Sequence, residues 1–222
     1  MSRTIHTYGD SHASYFGAWA DGVVAGVKIT GVKVKGFNII TNHLGGMLAY
    51  SFGRDKQNVV NNVNPNDVVV FCFGEIDCRC HINKYSTNWR ITIDNLVHSY
   101  LENVERNVIE KENITTCIFN VVPPLERENP LNLWVEETTT VPALGTDEER
   151  KTYTKYMNSK LKELCKEFGY VFIDVYDKYC NEKGYLKLEL SDTNCHIRNP
   201  IYIEEFLEEK LNNNKQSMDK AI

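Results

Sequence analysis

Val68-Val-Val-Phe-Cys-Phe73 is apolar without alternation. A strand with one wet face alternates apolar and polar side chains. A strand apolar on both sides is covered on both, as in the middle of a parallel sheet. The run follows a turn signal, Asn64-Pro-Asn-Asp67, and ends in the polar cluster Gly74-Glu-Ile-Asp-Cys-Arg-Cys-His81. Parallel strands need crossover connections, usually helical, so the rest of the chain is expected to alternate strand and helix.

It does. Arg3 to Tyr8 reads as a strand, cut off by Gly9-Asp-Ser11, and a helix-compatible stretch with Tyr15, Phe16 and Trp19 follows. Val23 to Val34 is rich in valine and glycine, and Val32-Lys-Val-Lys35 has the period of a half-buried strand. Asn42 to Met47, with Gly45 and Gly46, reads as a loop. From Ser86 to Val108 the apolar residues Trp89, Ile93, Leu96, Val97, Tyr100, Leu101, Val104 and Val108 share one helix face. Ile114 to Val122 is a further strand, stopped by Pro123-Pro124. The long connection to Gly145, carrying Trp134, is expected to border a site. Thr146 and Glu149 form a capping box for a helix that Gly169 ends. Tyr170 to Val175 reads as a fifth strand. Asn199-Pro200 opens a last helix burying Ile203, Phe206, Leu207 and Leu211. The expectation is a three-layer α/β domain over residues 1–211, with a five-stranded parallel sheet, and a polar tail over 212–222.

Of the 222 residues, 42% are hydrophobic and 25% charged, and the net charge is −5 with no dense basic patch. This argues against nucleic acid as a partner. No run approaches the roughly 18 apolar residues of a membrane span, and Met1-Ser-Arg-Thr-Ile-His lacks an apolar signal core. With seven cysteines, an odd number, a reduced cytoplasmic setting is expected. Cys72, Cys78, Cys80 and His81 do not have the paired spacing of zinc ligands, so no metal or cofactor is expected. Cys195, beside His196, is expected to pack rather than react.

In an open parallel sheet the strand ends meet at one edge, where ligands bind. Ser11 follows the first strand, Gly74 to His81 form a loop after the buried one, and Asp192 and His196 precede the last helix. Ser11 reads either as a helix cap or as a nucleophile. His196 and Asp192 supply the base and the orienting carboxylate that the second role needs.

In block order, the chain resembles the SGNH (GDSL-type) hydrolases: Gly9-Asp-Ser11, the Gly45-Gly46 loop, Gly74-Glu-Ile-Asp77, and Asp192 with His196. The resemblance implies a flavodoxin-like sheet, a Ser11–His196–Asp192 triad, and oxyanion donors at Ser11 and Gly45 or Gly46. Gly74 is expected at the substrate. Two departures stand out. Ile76 occupies the position where the family places an asparagine donor, and Arg79 and His81 are expected to replace it, with a pairing of Arg79 to Asp77 or Glu75 as the alternative. Three residues, not two, separate Asp192 from His196. The implied activity is a serine esterase removing a small acyl group, acetyl on a carbohydrate. An O-acyltransferase or a non-catalytic glycan-binding domain are the alternatives. The expected partner is a small-molecule or glycan ester.

Overall fold

The computed structural model describes residues 3–17, 23–24, 27–127 and 141–218. In chain order these form β1 (Arg3–Gly9), α1 (Ser11–Ser14), β2 (Val23–Val24), β3 (Val27–Lys28), β4 (Phe37–His43), α2 (Ala49–Arg54) and β5 (Val68–Cys72). A π-helix (Asp77–His81) leads into α3 (Ile82–Tyr85) and α4 (Trp89–Val108). Then follow β6 (Thr115–Phe119), α5 (Asp147–Phe168), β7 (Val171–Ile173), α6 (Tyr176–Tyr179), a 3₁₀ turn (Leu188–Leu190) and α7 (Ile201–Met218). Trp19 and the stretch around Trp134, expected to border the site, lie outside the described residues.

The main sheet has the order β4-β1-β5-β6-β7, and every neighbouring pair in it is parallel. By rank of strand along the chain this is 2-1-3-4-5, the flavodoxin-like order. Its switch point, where connections leave in opposite directions, falls between β1 and β5.

All five residues of β5 are buried. Val69 and Phe71 pack with Phe52 of α2, Leu96, Val97 and Tyr100 of α4, and Met157 and Leu161 of α5. Val68, Val70 and Cys72 face the opposite layer, with Ala13 of α1 and Ile203, Leu207 and Leu211 of α7. The unbroken apolar run is thus one strand divided between two helical layers. Burying a Val or Phe side chain contributes about 1.5–3 kcal/mol, so a charge placed in this strand would break the sheet.

The second strand of the sheet differs from expectation. Val32 and Val34 are buried between exposed Lys33 and Lys35, as the alternation requires. Yet among the described residues this segment pairs with no strand. The Val32 N–H donates to Phe16 O at 2.9 Å, and the Lys33 and Lys35 N–H groups donate to Glu204 and Glu208 of α7. The paired strand is β4, an edge strand of only half-buried and exposed residues, whose Phe37-Asn-Ile-Ile-Thr-Asn-His43 carries little apolar signal. The residues after Gly74 also differ. They are helical rather than a loop, with a π-turn over Asp77–His81. Such turns are rare and often lie at functional sites. Among the described residues, no helix is long and apolar enough to cross a membrane.

Candidate active site

β1 delivers Gly9-Asp-Ser11 to the switch point. A Cβ on Gly9 would meet Cys72 O at 2.0 Å, so glycine is required for β1 to run this close to β5. Asp10, not Ser11, caps α1: its Oδ1 accepts the His12 N–H at 2.9 Å. The cap reading of Ser11 therefore fails, and its hydroxyl is turned to another use. Ser11 Oγ lies 2.7 Å from His196 Nε2.

The closing loop is built around Asp192. Its Oδ1 accepts the N–H groups of Asn194 (2.9 Å) and His196 (3.1 Å). Its Oδ2 accepts His196 Nδ1–H at 2.8 Å and the Tyr15 hydroxyl at 2.7 Å. A Ser191–Ile197 bridge closes the base of the loop. Thr193, at φ +68°, takes the left-handed conformation and absorbs the extra residue between Asp192 and His196. Burial works against the Asp192 charge, but the donors on it hold its carboxyl below the ordinary range. With Nδ1–H committed to Asp192, Nε2 of a neutral His196 is the acceptor facing Ser11.

Two further residues complete the group. The Tyr15 ring stacks on His196 at 4.4 Å and 10° between planes. The buried His12 ring lies 4.8 Å from His196, with Nδ1 at Asp10 Oδ1 (2.9 Å) and Nε2 at the Cys195 carbonyl (3.1 Å). Sequence reasoning missed both. Tyr15 sits in an aromatic stretch that reads as core. His12 is masked by its neighbour Ser11, although its place in Gly-Asp-Ser-His was the available signal.

The other expected residues have partners of their own. Arg79 Nε donates to Glu75 Oε1 at 2.7 Å, and its Nη1 donates to Val141 O. The Glu75 side chain is only 9% exposed, so Arg79 balances a buried carboxylate. His81 stacks on Tyr50 (4.5 Å) and lies tilted against Tyr85 (4.9 Å), in an open groove with Leu48, Arg54 and Thr92. Hydrogen bonds of Arg79 run to Glu75 and Val141, and it lines a cavity with Cys195, the neighbour of His196. Ile76, at the asparagine position, is buried. Gly74 has φ +110°, and a Cβ there would meet Met157 and Val121 within 3 Å, so it serves packing. Gly45 (φ +65°) and Gly46 are exposed with open space around them. They follow Leu44, whose N–H donates to Gly9 O at 2.8 Å and ties their loop to the end of β1.

Cys72 lies in the core and Cys78 packs on Met157 Sδ at 3.6 Å. Burial pushes the Cys195 thiol well above its ordinary value, and its Sγ is 3.7 Å from an imidazole nitrogen that Ser11 already occupies. His12, Cys195 and His196 are the one cluster among the described residues that brings three metal-binding side chains together. Both ring nitrogens of each histidine, however, already face protein partners, which leaves no lone pair for an ion.

No protein-family model matches the sequence, and no curated protein matches it either. Solved structures do match. One is a Streptococcus pneumonia protein described as a platelet activating factor, at 18% identity and TM-score 0.61, covering 95% of this chain and 85% of that one. A GDSL-like lipase from Bacteroides thetaiotaomicron matches at 16% identity and TM-score 0.53, covering 100% and 89%. Est24, a carbohydrate acetylesterase from Sinorhizobium meliloti, matches at 11% identity and TM-score 0.54, covering 96% and 99%. The fold of this chain is the flavodoxin-like α/β fold of the GDSL-type lipases and esterases.

Proposed function

We propose that this protein is an SGNH-type serine esterase that removes a small acyl group, acetyl on a carbohydrate. The observation carrying this reading is the unbroken relay from Ser11 Oγ to His196 Nε2 at 2.7 Å and from His196 Nδ1 to Asp192 Oδ2 at 2.8 Å. Ser11 Oγ attacks the ester carbonyl while His196 takes its proton. Asp192 holds the tautomer and stabilises the imidazolium that forms. His196 then protonates the leaving alcohol, and water, deprotonated by the same imidazole, discharges the acyl-enzyme. The Ser11 N–H and a glycine N–H from Gly45 or Gly46 are the oxyanion donors in this scheme. Ile76 is apolar, and Arg79 is paired with Glu75, so neither supplies the amide donor that the family places at position 76. Losing one such donor typically costs about 10²–10³ in kcat, so a slow esterase is expected. The carbohydrate preference draws support from the fold shared with a carbohydrate acetylesterase.

The test is acetate release from p-nitrophenyl acetate and from acetylated xylo-oligosaccharides, with Ser11→Ala as control. Release abolished in Ser11→Ala supports the esterase. Acetyl transfer to an added sugar, with little free acetate, identifies an O-acyltransferase using the same relay. Binding of the oligosaccharide without turnover indicates a glycan-binding domain.

A further inference from the structure

The esterase scheme leaves the second histidine of the site unused. His12 is buried at 6% exposure, and its two ring nitrogens face Asp10 Oδ1 and the Cys195 carbonyl oxygen. A carbonyl oxygen only accepts, so Nε2 must carry a hydrogen. Asp10 Oδ1 already accepts the His12 backbone N–H, and an ionised carboxylate only accepts, so Nδ1 must carry one too. An imidazole with both hydrogens is an imidazolium. Its ring lies 4.8 Å from that of His196, the proposed base.

We propose that His12 is a positioning residue of the site, charged at neutral pH and paired with Asp10, that anchors the Cys195 carbonyl and keeps the adjoining His196 neutral. The last clause rests on the esterase reading. The anchoring follows from the chain itself: the carbonyl that His12 holds belongs to the peptide leading into His196. The charge acts through space, because a like charge disfavours protonation of its neighbour.

Several charged groups face this pair. Asp10 comes from the end of β1, Glu75 from the helical turn after β5, and Asp192 and the Cys195 thiol from the closing loop. Arg79 lies against Glu75. Burial by itself would discharge His12. The charge and hydrogen bond of Asp10, with Glu75 and the Cys195 carbonyl, outweigh it and raise the group to about 9. For His196, burial and the His12 charge together outweigh Asp192, and its value falls below the ordinary one. Among the described residues, no donor reaches the buried oxygens Asp10 Oδ2 and Glu75 Oε2.

The test is imidazole ¹⁵N NMR on the full chain, which needs no turnover. At pH 7.5 His12 should show hydrogens on both ring nitrogens while His196 shows one. In His12→Gln, whose amide can still donate to Cys195 O without charge, the His196 titration midpoint should rise by about one pH unit. The acid limb of any ester hydrolysis should move up with it, with KM little changed. Asp10→Asn provides the second variant should His12→Gln fold poorly. Without the carboxylate, His12 should titrate nearer to an ordinary histidine, and the His196 midpoint should again rise. A neutral wild-type His12 at pH 7.5, or a His196 midpoint unmoved in both variants, would overturn the proposal. A wild type that shows the imidazolium but hydrolyses no ester would overturn the esterase reading instead.

Discussion

The Tyr15 hydroxyl donates to Asp192 Oδ2 at 2.7 Å, while the ring of the same tyrosine lies nearly parallel against His196 at 4.4 Å. One side chain from the N-terminal block thus fixes two residues of the C-terminal loop. Tyr15→Phe keeps the stack and removes the bond. A hydrogen bond to a charged group contributes about 1.5–3 kcal/mol, so a fall in stability of that order is expected, with roughly tenfold lower kcat and unchanged KM. Tyr15→Ala should lose more of both. Thermal unfolding and steady-state kinetics on the two variants check this.

Arg79 was expected to stand in for the missing oxyanion asparagine. Its pairing with Glu75 moves the predicted cost from rate to stability. Arg79→Ala leaves a buried carboxylate without its cation, which typically costs about 3–5 kcal/mol. Arg79→Lys should recover part of this, since a point charge can face Glu75 without reproducing the guanidinium fork. Chemical denaturation of both variants is the measurement. A fully stable Arg79→Ala would contradict the assignment.

Stability and activity should respond to pH in different ranges. His12 is raised from 6.5 to about 9 in the folded protein, so its contribution is complete below 6.5 and lost as pH rises through about 9. Asp192 is lowered from 3.8, so its contribution is present above 3.8 and lost as pH falls through its depressed value. Melting temperature should therefore be highest between these limits. His196 must be neutral to accept the Ser11 proton, and its value is lowered from 6.5. The acid limb of activity should therefore be centred below pH 6.5. Paired pH profiles of unfolding and kcat/KM would show it. An acid limb centred above 6.5 would contradict the burial and charge assigned to His196.

Chelation should have no effect. Each histidine of the His12–Cys195–His196 cluster is engaged at both ring nitrogens. Dialysis against EDTA should leave melting temperature and esterase activity unchanged. Stoichiometric metal in the purified protein, with loss of activity on its removal, would contradict this.

Much of this architecture was legible because it rests on strong local signals. Val68 to Phe73 announces a central strand, and Thr146 with Glu149 announces α5, whose capping box is present. The order of Ser11, Asp192 and His196 pointed to groups that the fold brings within hydrogen-bonding distance. The illegible parts depend on partners far along the chain. Val32 to Lys35 has the period of a strand, but its N–H groups find α7 carboxylates, and only the tertiary fold decides between them. β4 is an edge strand whose half-buried faces leave little apolar pattern. The Glu75–Arg79 pair was legible as an alternative, and its helical i, i+4 spacing would have favoured Glu75 over Asp77 had the segment been read as helix. Asp10 and His12, two residues apart around a cap, follow no such rule. Tyr15 is separated from Asp192 by most of the chain.

The central claim is that Ser11 is a nucleophile activated by His196 and Asp192. Labelling with a fluorophosphonate, located by peptide mass spectrometry, tests it without knowledge of the natural ester. Wild-type protein should carry the label on Ser11. Ser11→Ala should abolish it, and His196→Ala should slow it by orders of magnitude. Because members of a triad act as a unit, combining His196→Ala with Asp192→Asn should add little further loss. Folded wild-type protein that takes up no label, or takes it up at the same rate without His196, would contradict the account.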